Sequence, residues 1–400
     1  MKFIKIIPIL AIAVLSSCKN DNSALAENRS SDIKAKDTTL RILPYPGKMP
    51  TISSSFIASK KSHIENFYEK NWDHNTMNGG FLVAKNGQVI FEKYQGISDK
   101  SKKSEITSDT PLHIASVSKV LTATAVLKLI DQKKLALDQK VTTLLPTFPY
   151  PEVTIRTLLN HRSGLPNYAY FTDQKEIWDR TKILTNQDIL DLLAKHKFPL
   201  YFKTDKKFGY CNTNFAMLAL IIEKKTKMNY RDAMQKIIFE PLGMKNTFVF
   251  DYMYDKGKTS QSYKGNMVLF DFDYLDNIYG DKNIYSTPRD LLKFDMATYS
   301  PHFLNPDLLT EVFKGYSYEH KGNKNYGLGI RITEWETGER MFYHNGWWHG
   351  NTASYVKLKN DTVAIIAISN KFTYKTYRTW KLAPLFGVYP VKLDKDETEY

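Results

Sequence analysis

Ser116-Val117-Ser118-Lys119 places a hydroxyl and an amine three residues apart at the start of a predicted helix. The segment follows the apolar run 112–115, and apolar residues then recur at helical spacing, at positions 120, 123, 127 and 130. Residues three apart on a helix share a face, so we expect Ser116 and Lys119 to lie side by side. Because a serine needs an adjacent base to act as a nucleophile, and because a helix N-terminus favours a developing oxyanion, this pairing predicts nucleophilic catalysis.

Local context separates Ser116 from other copies of the same pattern. Ser-x-x-Lys begins at Ser16, Ser31, Ser116 and Ser354. The first lies in a predicted leader and the second in a polar segment. The fourth lies in an alternating segment typical of a strand, where residues three apart point to opposite faces. Only Ser116 therefore has its lysine within reach.

Two further motifs carry polar groups suited to a cleft. Tyr210-Cys211-Asn212 opens a helical run, so its phenol can relay a proton and its amide can orient a substrate amide. His344-Asn345-Gly346 follows an apolar run that predicts a buried strand, and its glycine permits close approach of a ligand or another backbone. Cys211 is interpreted as packing rather than as a nucleophile.

In this order, the three elements resemble those of the serine β-lactamase and penicillin-binding protein superfamily. The resemblance is greatest to the branch of class C β-lactamases, D-alanyl-D-alanine carboxypeptidases and related esterases, and it covers about Ile57 to Leu385. Further segments are similar to the family: TIRTLLNHRSGLP at 154–166, PLGMKNT at 241–247, YSTPRDL at 285–291 and YGLG at 326–329.

The resemblance implies roles for the motif residues. Ser116 would form an acyl-enzyme, with either Lys119 or Tyr210 as the base, and the backbone N–H groups of Ser116 and Trp347 would form the oxyanion hole. Four residues would contact the substrate: Asn212, His344, Asn345 and Gly346.

One departure from the family pattern bears on the substrate. Many members carry Lys-Thr-Gly where this chain has His344-Asn345-Gly346. A histidine holds a carboxylate only when it is protonated, and its usual pKa is about 6.5. The third motif is thus more similar to carboxypeptidase-type or esterase-type members than to efficient β-lactamases.

The N-terminus predicts export. Lys2 and Lys5 lie at the start of the apolar run Ile4–Leu15, which is too short for a comfortable membrane span, and Leu15-Ser16-Ser17-Cys18 resembles a bacterial lipobox. We expect a signal peptide at 1–17, lipid on Cys18 and a tether at 18–50. The predicted location is the bacterial cell envelope, at the periplasm or cell surface, with the membrane leaflet left open. The formal net charge of +14 is therefore not read as nucleic-acid binding.

Element order predicts an α+β fold, with an antiparallel sheet built from both ends of the chain around a helical insertion. Asn86-Gly87 between apolar runs indicates a hairpin, and strands are expected again at 327–333, 341–344, 352–358 and 362–369. The hydrolase domain is placed at 51–388, with sheet regions at about 57–115 and 299–388, a helical region at about 116–298 and a tail at 389–400.

The sequence contains no metal-binding motif and no cofactor fingerprint, so neither is expected. The function favoured is a serine hydrolase of amide or ester substrates, such as D-alanyl peptides or small esters, with peptidoglycan as a possible partner. A β-lactamase proper and a non-catalytic envelope lipoprotein that binds penicillin or peptidoglycan remain as alternatives.

Overall fold

The computed structural model of the protein describes residues 49–72 and 76–391. The predictions of a signal peptide, of lipid on Cys18 and of most of the tether and tail fall outside these residues. Within them, the first helix begins at Ser54 and the last regular segment ends at Leu385.

A seven-stranded antiparallel sheet forms the centre of the fold, in the order β2-β1-β12-β11-β10-β9-β8. Two of its strands come from the N-terminal part and five from the C-terminal part, which confirms the predicted α+β class and the sheet built from both ends. The strands are β1 Gly79–Lys85, β2 Gln88–Gln95, β3 Ile97–Asp99, β4 Ser104–Glu105, β5 Leu112–His113, β6 Phe248–Val249, β7 Ile284–Ser286, β8 Lys324–Tyr326, β9 Arg331–Glu334, β10 Arg340–Trp348, β11 Asn351–Leu358 and β12 Val363–Ser369.

Helices fill the sequence between the two parts of the sheet. The α-helices are α1 Ser54–Trp72, α2 Ser118–Asp131, α3 Ile155–Leu159, α4 Tyr168–Phe171, α5 Asn186–His196, α6 Asn212–Thr226, α7 Tyr230–Met234, α8 Tyr252–Asp255, α9 Pro288–Ala297 and α10 Pro306–Val312. Shorter turns are the 3-10 segments Ala115–Val117 and Val141–Thr143, a π turn at Gln235–Phe239 and a 3-10 segment at Tyr374–Leu385.

Side-chain alternation on β1 explains how the sheet is covered on both faces. Phe81 and Val83 pack into a cluster with α1 and the segment Tyr374–Leu385. Leu82 and Ala84 point the other way, into the large core shared with the helices of the insertion. Both faces of the sheet are thus buried, and the nucleophile helix α2 belongs to the second core.

Turn and cap residues behave as the sequence indicates. Asn86 and Gly87 have φ angles of 51° and 74° between β1 and β2, the left-handed pair that a two-residue hairpin needs. Thr185 accepts a hydrogen bond from the backbone of Asp188 at the start of α5. Thr287 caps α9, whose first turn contains Pro288.

The structure departs from the sequence-based elements in several places. The strand expected at 327–333 is replaced by β8 and β9, with 327–330 between them, and the regions expected to form sheet also contain α1 and α10. Strands β6 and β7 lie within the insertion, where mostly helix was expected, and form a small sheet with β5, which precedes it. Strand β10 continues to Trp348 instead of ending at His344, so the third motif lies within a strand that pairs with β11. Among the described residues, no helix has the length and apolarity required to span a membrane.

Candidate active site

Ser116 lies in a tight turn between β5 and α2, on the first 3-10 segment. The preceding Ala115 has φ 47°, a left-handed conformation that costs energy for a residue with a side chain. Its backbone N–H donates to Nδ1 of His113 (3.1 Å), and Nε2 of His113 contacts Asn283 Oδ1 (3.1 Å). Burial lowers the pKa of His113 to about 4, so a neutral imidazole holds the strained turn in place.

Lys119 reaches the nucleophile directly. Its Nζ lies 2.9 Å from Ser116 Oγ and 2.8 Å from the backbone carbonyl of Asp281. The side chain is fully buried, and it forms no salt bridge with any described residue. The two contacts fix Nζ within proton-transfer distance of Ser116 Oγ, and its role as the base stays a prediction.

The Tyr-x-Asn motif faces the same point. Lys119 Nζ lies 5.0 Å from the centroid of the Tyr210 ring. Asn212 is the first residue of α6, and its Oδ1 is buried without a hydrogen-bond partner among the described residues. An unmet buried acceptor costs roughly 1–3 kcal/mol. Cys211 between them is buried, and burial raises the pKa of its thiol to about 11, which agrees with a packing role.

His161 positions this loop, although sequence reasoning used it only as part of a similar segment. Its ring lies 4.4 Å from the Tyr210 ring, and its Nδ1 accepts from the backbone N–H of Cys211 (3.2 Å) and from Asn214 Nδ2 (3.1 Å). Burial, with Lys119 nearby, holds its pKa well below the usual value. The neutral ring therefore serves as an acceptor that fixes the start of α6.

His344 is placed differently from the expectation. The side chain is fully buried, its Nδ1 bonds to the carbonyl of Asn345 (2.8 Å), and its Nε2 bonds to the Tyr326 hydroxyl (3.1 Å). Burial and the charges of Arg331 and Lys119 hold its pKa well below the usual value. Both ring nitrogens are occupied and the ring is neutral, so in this arrangement His344 supports the strand instead of presenting a cation to the cleft.

Gly346 brings β10 against the nucleophile turn. A Cβ there would lie 2.5 Å from the Ile114 carbonyl oxygen and 2.9 Å from the backbone nitrogen of Ser116. Strand β9 pairs with β10 only as far as Tyr343, so one edge of β10 beyond that residue is not covered by β9. Asn345 and Trp347 lie on this stretch. The two backbones predicted to form the oxyanion hole, those of Ser116 and Trp347, are thus neighbours; their catalytic role stays a prediction.

Arg331 is the main charged group at the site that sequence reasoning missed. Its guanidinium carbon lies 4.9 Å from the centroid of the Tyr210 ring and 5.9 Å from that of Tyr326. It is partly exposed and forms no ion pair with a described residue. No motif marks it, although it begins β9 shortly after the family-like segment 326–329.

A second missed group supports the carbonyl that holds Lys119. The Asp281 carboxylate accepts from the Tyr168 hydroxyl (2.6 Å), which in turn accepts from Lys282 Nζ (2.8 Å). All three side chains are buried. This network fixes the backbone at Asp281 and therefore one of the two contacts of Lys119.

One potential metal-binding group occurs in the described residues, although the sequence singled out none. Ligand atoms of Asp273, Asp276 and His349 lie within 4.8 Å of one another. The Asp276 carboxylate already accepts from Trp348 Nε1 (2.6 Å) and contacts His349 Nε2 (3.1 Å). Protein donors thus satisfy this carboxylate.

Comparison with known proteins agrees with this geometry. The β-lactamase family profile matches residues 64–383. The chain belongs to the β-lactamase family. Penicillin-binding protein 4* of Bacillus subtilis is 31% identical over 336 residues, which cover 78% of this chain and 72% of that protein. The predicted membership of the serine β-lactamase and penicillin-binding protein superfamily is confirmed, and the chain is a serine hydrolase of that family.

Other β-lactamase family relatives match more distantly. A D-aminopeptidase of Cereibacter sphaeroides is 25% identical over 290 residues, which cover 72% of this chain but only 55% of that enzyme. The crystal structure of a penicillin-binding protein from Bacillus halodurans superposes with a TM-score of 0.70 at 22% identity, over 80% of this chain and 98% of that one. The structural likeness to the Bacillus halodurans protein supports the fold.

Proposed function

We propose that this hydrolase cleaves D-alanyl amides or esters whose leaving group carries a negative charge, in the manner of a carboxypeptidase. The observation that carries the proposal is the guanidinium of Arg331, partly exposed beside Tyr210 and without an ion-pair partner among the described residues. Ser116 and Lys119 supply the nucleophile and its neighbour, and the partly exposed Asn212 supplies a side-chain amide that can turn toward a substrate amide.

Arg331 takes the place that the sequence assigned to His344. A buried neutral imidazole cannot hold a carboxylate, whereas a guanidinium stays charged and offers a planar fork of donors. The names of two relatives, a penicillin-binding protein and a D-aminopeptidase, support hydrolysis at a D-amino acid residue.

The test compares N-acetyl-D-alanyl-D-alanine with its C-terminal amide, which lacks the negative charge. Wild type should prefer the acid by about 10- to 100-fold in kcat/KM, the range for a hydrogen bond to a charged group. Arg331→Gln should lose that preference, Arg331→Lys should keep part of it, and His344→Gln should keep it. Equal preference in wild type and Arg331→Gln would overturn the role of Arg331. Nitrocefin turnover faster than peptide turnover would favour the β-lactamase alternative.

We also propose that the enzyme is a lipid-anchored protein of the cell envelope, which places it near peptidoglycan peptides. The support is the sequence alone: a short apolar leader followed by Leu15-Ser16-Ser17-Cys18. Wild type should incorporate labelled palmitate and sediment with membranes, whereas Cys18→Ala should do neither. Labelling of Cys18→Ala at the wild-type level would contradict the anchor.

A further inference from the structure

Four aromatic side chains form a continuous row that begins at Trp347 on β10. The Trp347 and Phe372 ring centroids are 6.5 Å apart, those of Phe372 and Tyr374 are 4.8 Å apart, and those of Tyr374 and Tyr377 are 6.3 Å apart. Trp347 is 62% exposed and Tyr374 is 50% exposed. We call Trp347, Phe372, Tyr374 and Tyr377 the aromatic strip.

The strip touches the backbone of the catalytic site at both ends. At one end, Trp347 carries one of the two N–H groups predicted for the oxyanion hole. At the other, the Tyr377 hydroxyl donates to the carbonyl of Gly346 (3.0 Å), the residue that packs on the nitrogen of Ser116. A substrate whose carbonyl lies at Ser116 therefore has the strip beside it.

Two of the three polar groups of the strip, those of Trp347 and Tyr377, are hydrogen-bonded to backbone carbonyls. The indole Nε1 of Trp347 donates to the carbonyl of His349 (2.8 Å), and the Tyr377 hydroxyl is used by Gly346. The rings meet at steep angles, 71° for Trp347 and Phe372 and 79° for Phe372 and Tyr374, so they form an uneven apolar wall and not one flat stacking surface. Such a wall suits an alkyl or aryl group better than a sugar ring with its hydroxyls.

We propose that the aromatic strip binds an apolar group attached to the scissile bond and so selects substrates that carry one. The proposal rests on the serine hydrolase function proposed above and narrows its substrate class. Exposed aromatic surface is unfavourable in water, so covering these side chains with the hydrocarbon of a substrate lowers the free energy of the complex.

The experiment measures kcat/KM for two series of esters. In one, the acyl chain of p-nitrophenyl esters grows from acetate to octanoate; in the other, an acetyl group is kept and the alcohol grows. In at least one series we expect a rise of about twofold to fourfold per methylene in wild type, the gain for burying part or all of a CH₂. The series that responds shows whether the apolar group lies on the acyl or the alcohol side.

Variants locate the effect. Trp347→Ala and Phe372→Ala should each reduce the octanoate-to-acetate ratio, or its alcohol equivalent, by at least about fivefold, because ring area next to the chain is lost. Tyr254→Ala removes a similarly exposed ring (68%) that is distant from the strip in the sequence, and it should keep the wild-type octanoate-to-acetate ratio. Melting temperatures of all variants exclude unfolding as the cause.

The outcomes separate the two proposals. Two results would overturn the role of the strip while the serine hydrolase function stands. One is an octanoate-to-acetate ratio that is unchanged in both strip variants. The other is a lack of chain-length dependence in wild type while a fluorophosphonate still labels Ser116. If the strip variants lose activity only toward a sugar-bearing muropeptide, the strip binds carbohydrate, and the proposal of an apolar ligand would also be overturned. Absence of any labelling of Ser116 would instead remove the function on which the strip depends.

Discussion

Gly346→Ala tests the contact between β10 and the nucleophile turn. The added Cβ would lie 2.5 Å from the Ile114 carbonyl oxygen, 2.9 Å from the Ser116 nitrogen and 3.0 Å from the Ala115 Cβ. Two of these neighbours are backbone atoms, which cannot rotate away as a long side chain can. The strand and the turn must therefore separate, and the new methyl group must also approach the N–H that is predicted to bind the oxyanion.

The size of the effect follows from that geometry. Loss of one oxyanion donor lowers kcat by about 10²–10³-fold, and misplacement by about 1 Å costs about 10²-fold. We therefore expect kcat to fall about 10²-fold, equivalent to about 2.7 kcal/mol in the activation free energy. Overpacking should lower the free energy of unfolding by about 1–3 kcal/mol, which leaves folded protein to assay.

The assay is steady-state hydrolysis of a D-alanyl ester together with the rate of Ser116 labelling by a fluorophosphonate. Gly265→Ala is the matched control, because a Cβ there meets only the Phe372 carbonyl oxygen, at an ordinary 3.6 Å. It should retain wild-type rates. If Gly346→Ala also acylates at the wild-type rate, the oxyanion hole does not lie between β10 and the turn.

Three further predictions follow from named contacts. Lys119→Ala should slow acylation by at least about 10²-fold in stopped-flow labelling, and an unchanged rate would remove Lys119 as the base. Burial lowers the pKa of His113 to about 4, so the unfolded state binds its proton more readily than the folded state does. Between pH 6.5 and 4 the free energy of unfolding in urea titrations should therefore fall by about 3 kcal/mol more in wild type than in His113→Gln, since the buried His161 and His344 contribute to both proteins; an equal fall in the two proteins would contradict the role of His113. Asp295→Asn removes the partner of the buried Lys357 (3.0 Å) and should lower the free energy of unfolding by about 3–5 kcal/mol. Asp173→Asn, at the exposed pair with Arg180, should change the free energy of unfolding by less than about 1 kcal/mol. Equal effects of the two substitutions would contradict the argument from burial.

Features set by neighbouring residues could be predicted from the sequence. The Asn86-Gly87 hairpin depends on two left-handed φ angles, and the contact of Ser116 with Lys119 depends on one helical turn. The cap at Thr185 depends on a side chain three residues from its partner. These interactions are local, so spacing alone indicates them.

Features that depend on contacts between distant parts of the chain could not be predicted from the sequence. Strands β5, β6 and β7 have two or three residues each, too few to show a period of two. The neutral state of His344 depends on its hydrogen bond to Tyr326 and on the charge of Arg331, both of which precede it in the sequence and come near it only through the folding of the sheet. Arg331 itself has no motif, since its significance comes from the lack of an ion-pair partner for its guanidinium within residues 49–72 and 76–391.

The account depends most directly on a covalent bond between Ser116 and the acyl group of its substrate. Intact-mass spectrometry, followed by peptide mapping, should find one adduct on the peptide containing Ser116 after exposure to a panel of penicillins, D-alanyl peptides and short esters. Ser116→Ala should carry none. An adduct that persists in Ser116→Ala, or the absence of an adduct in wild type across the whole panel, would contradict the account.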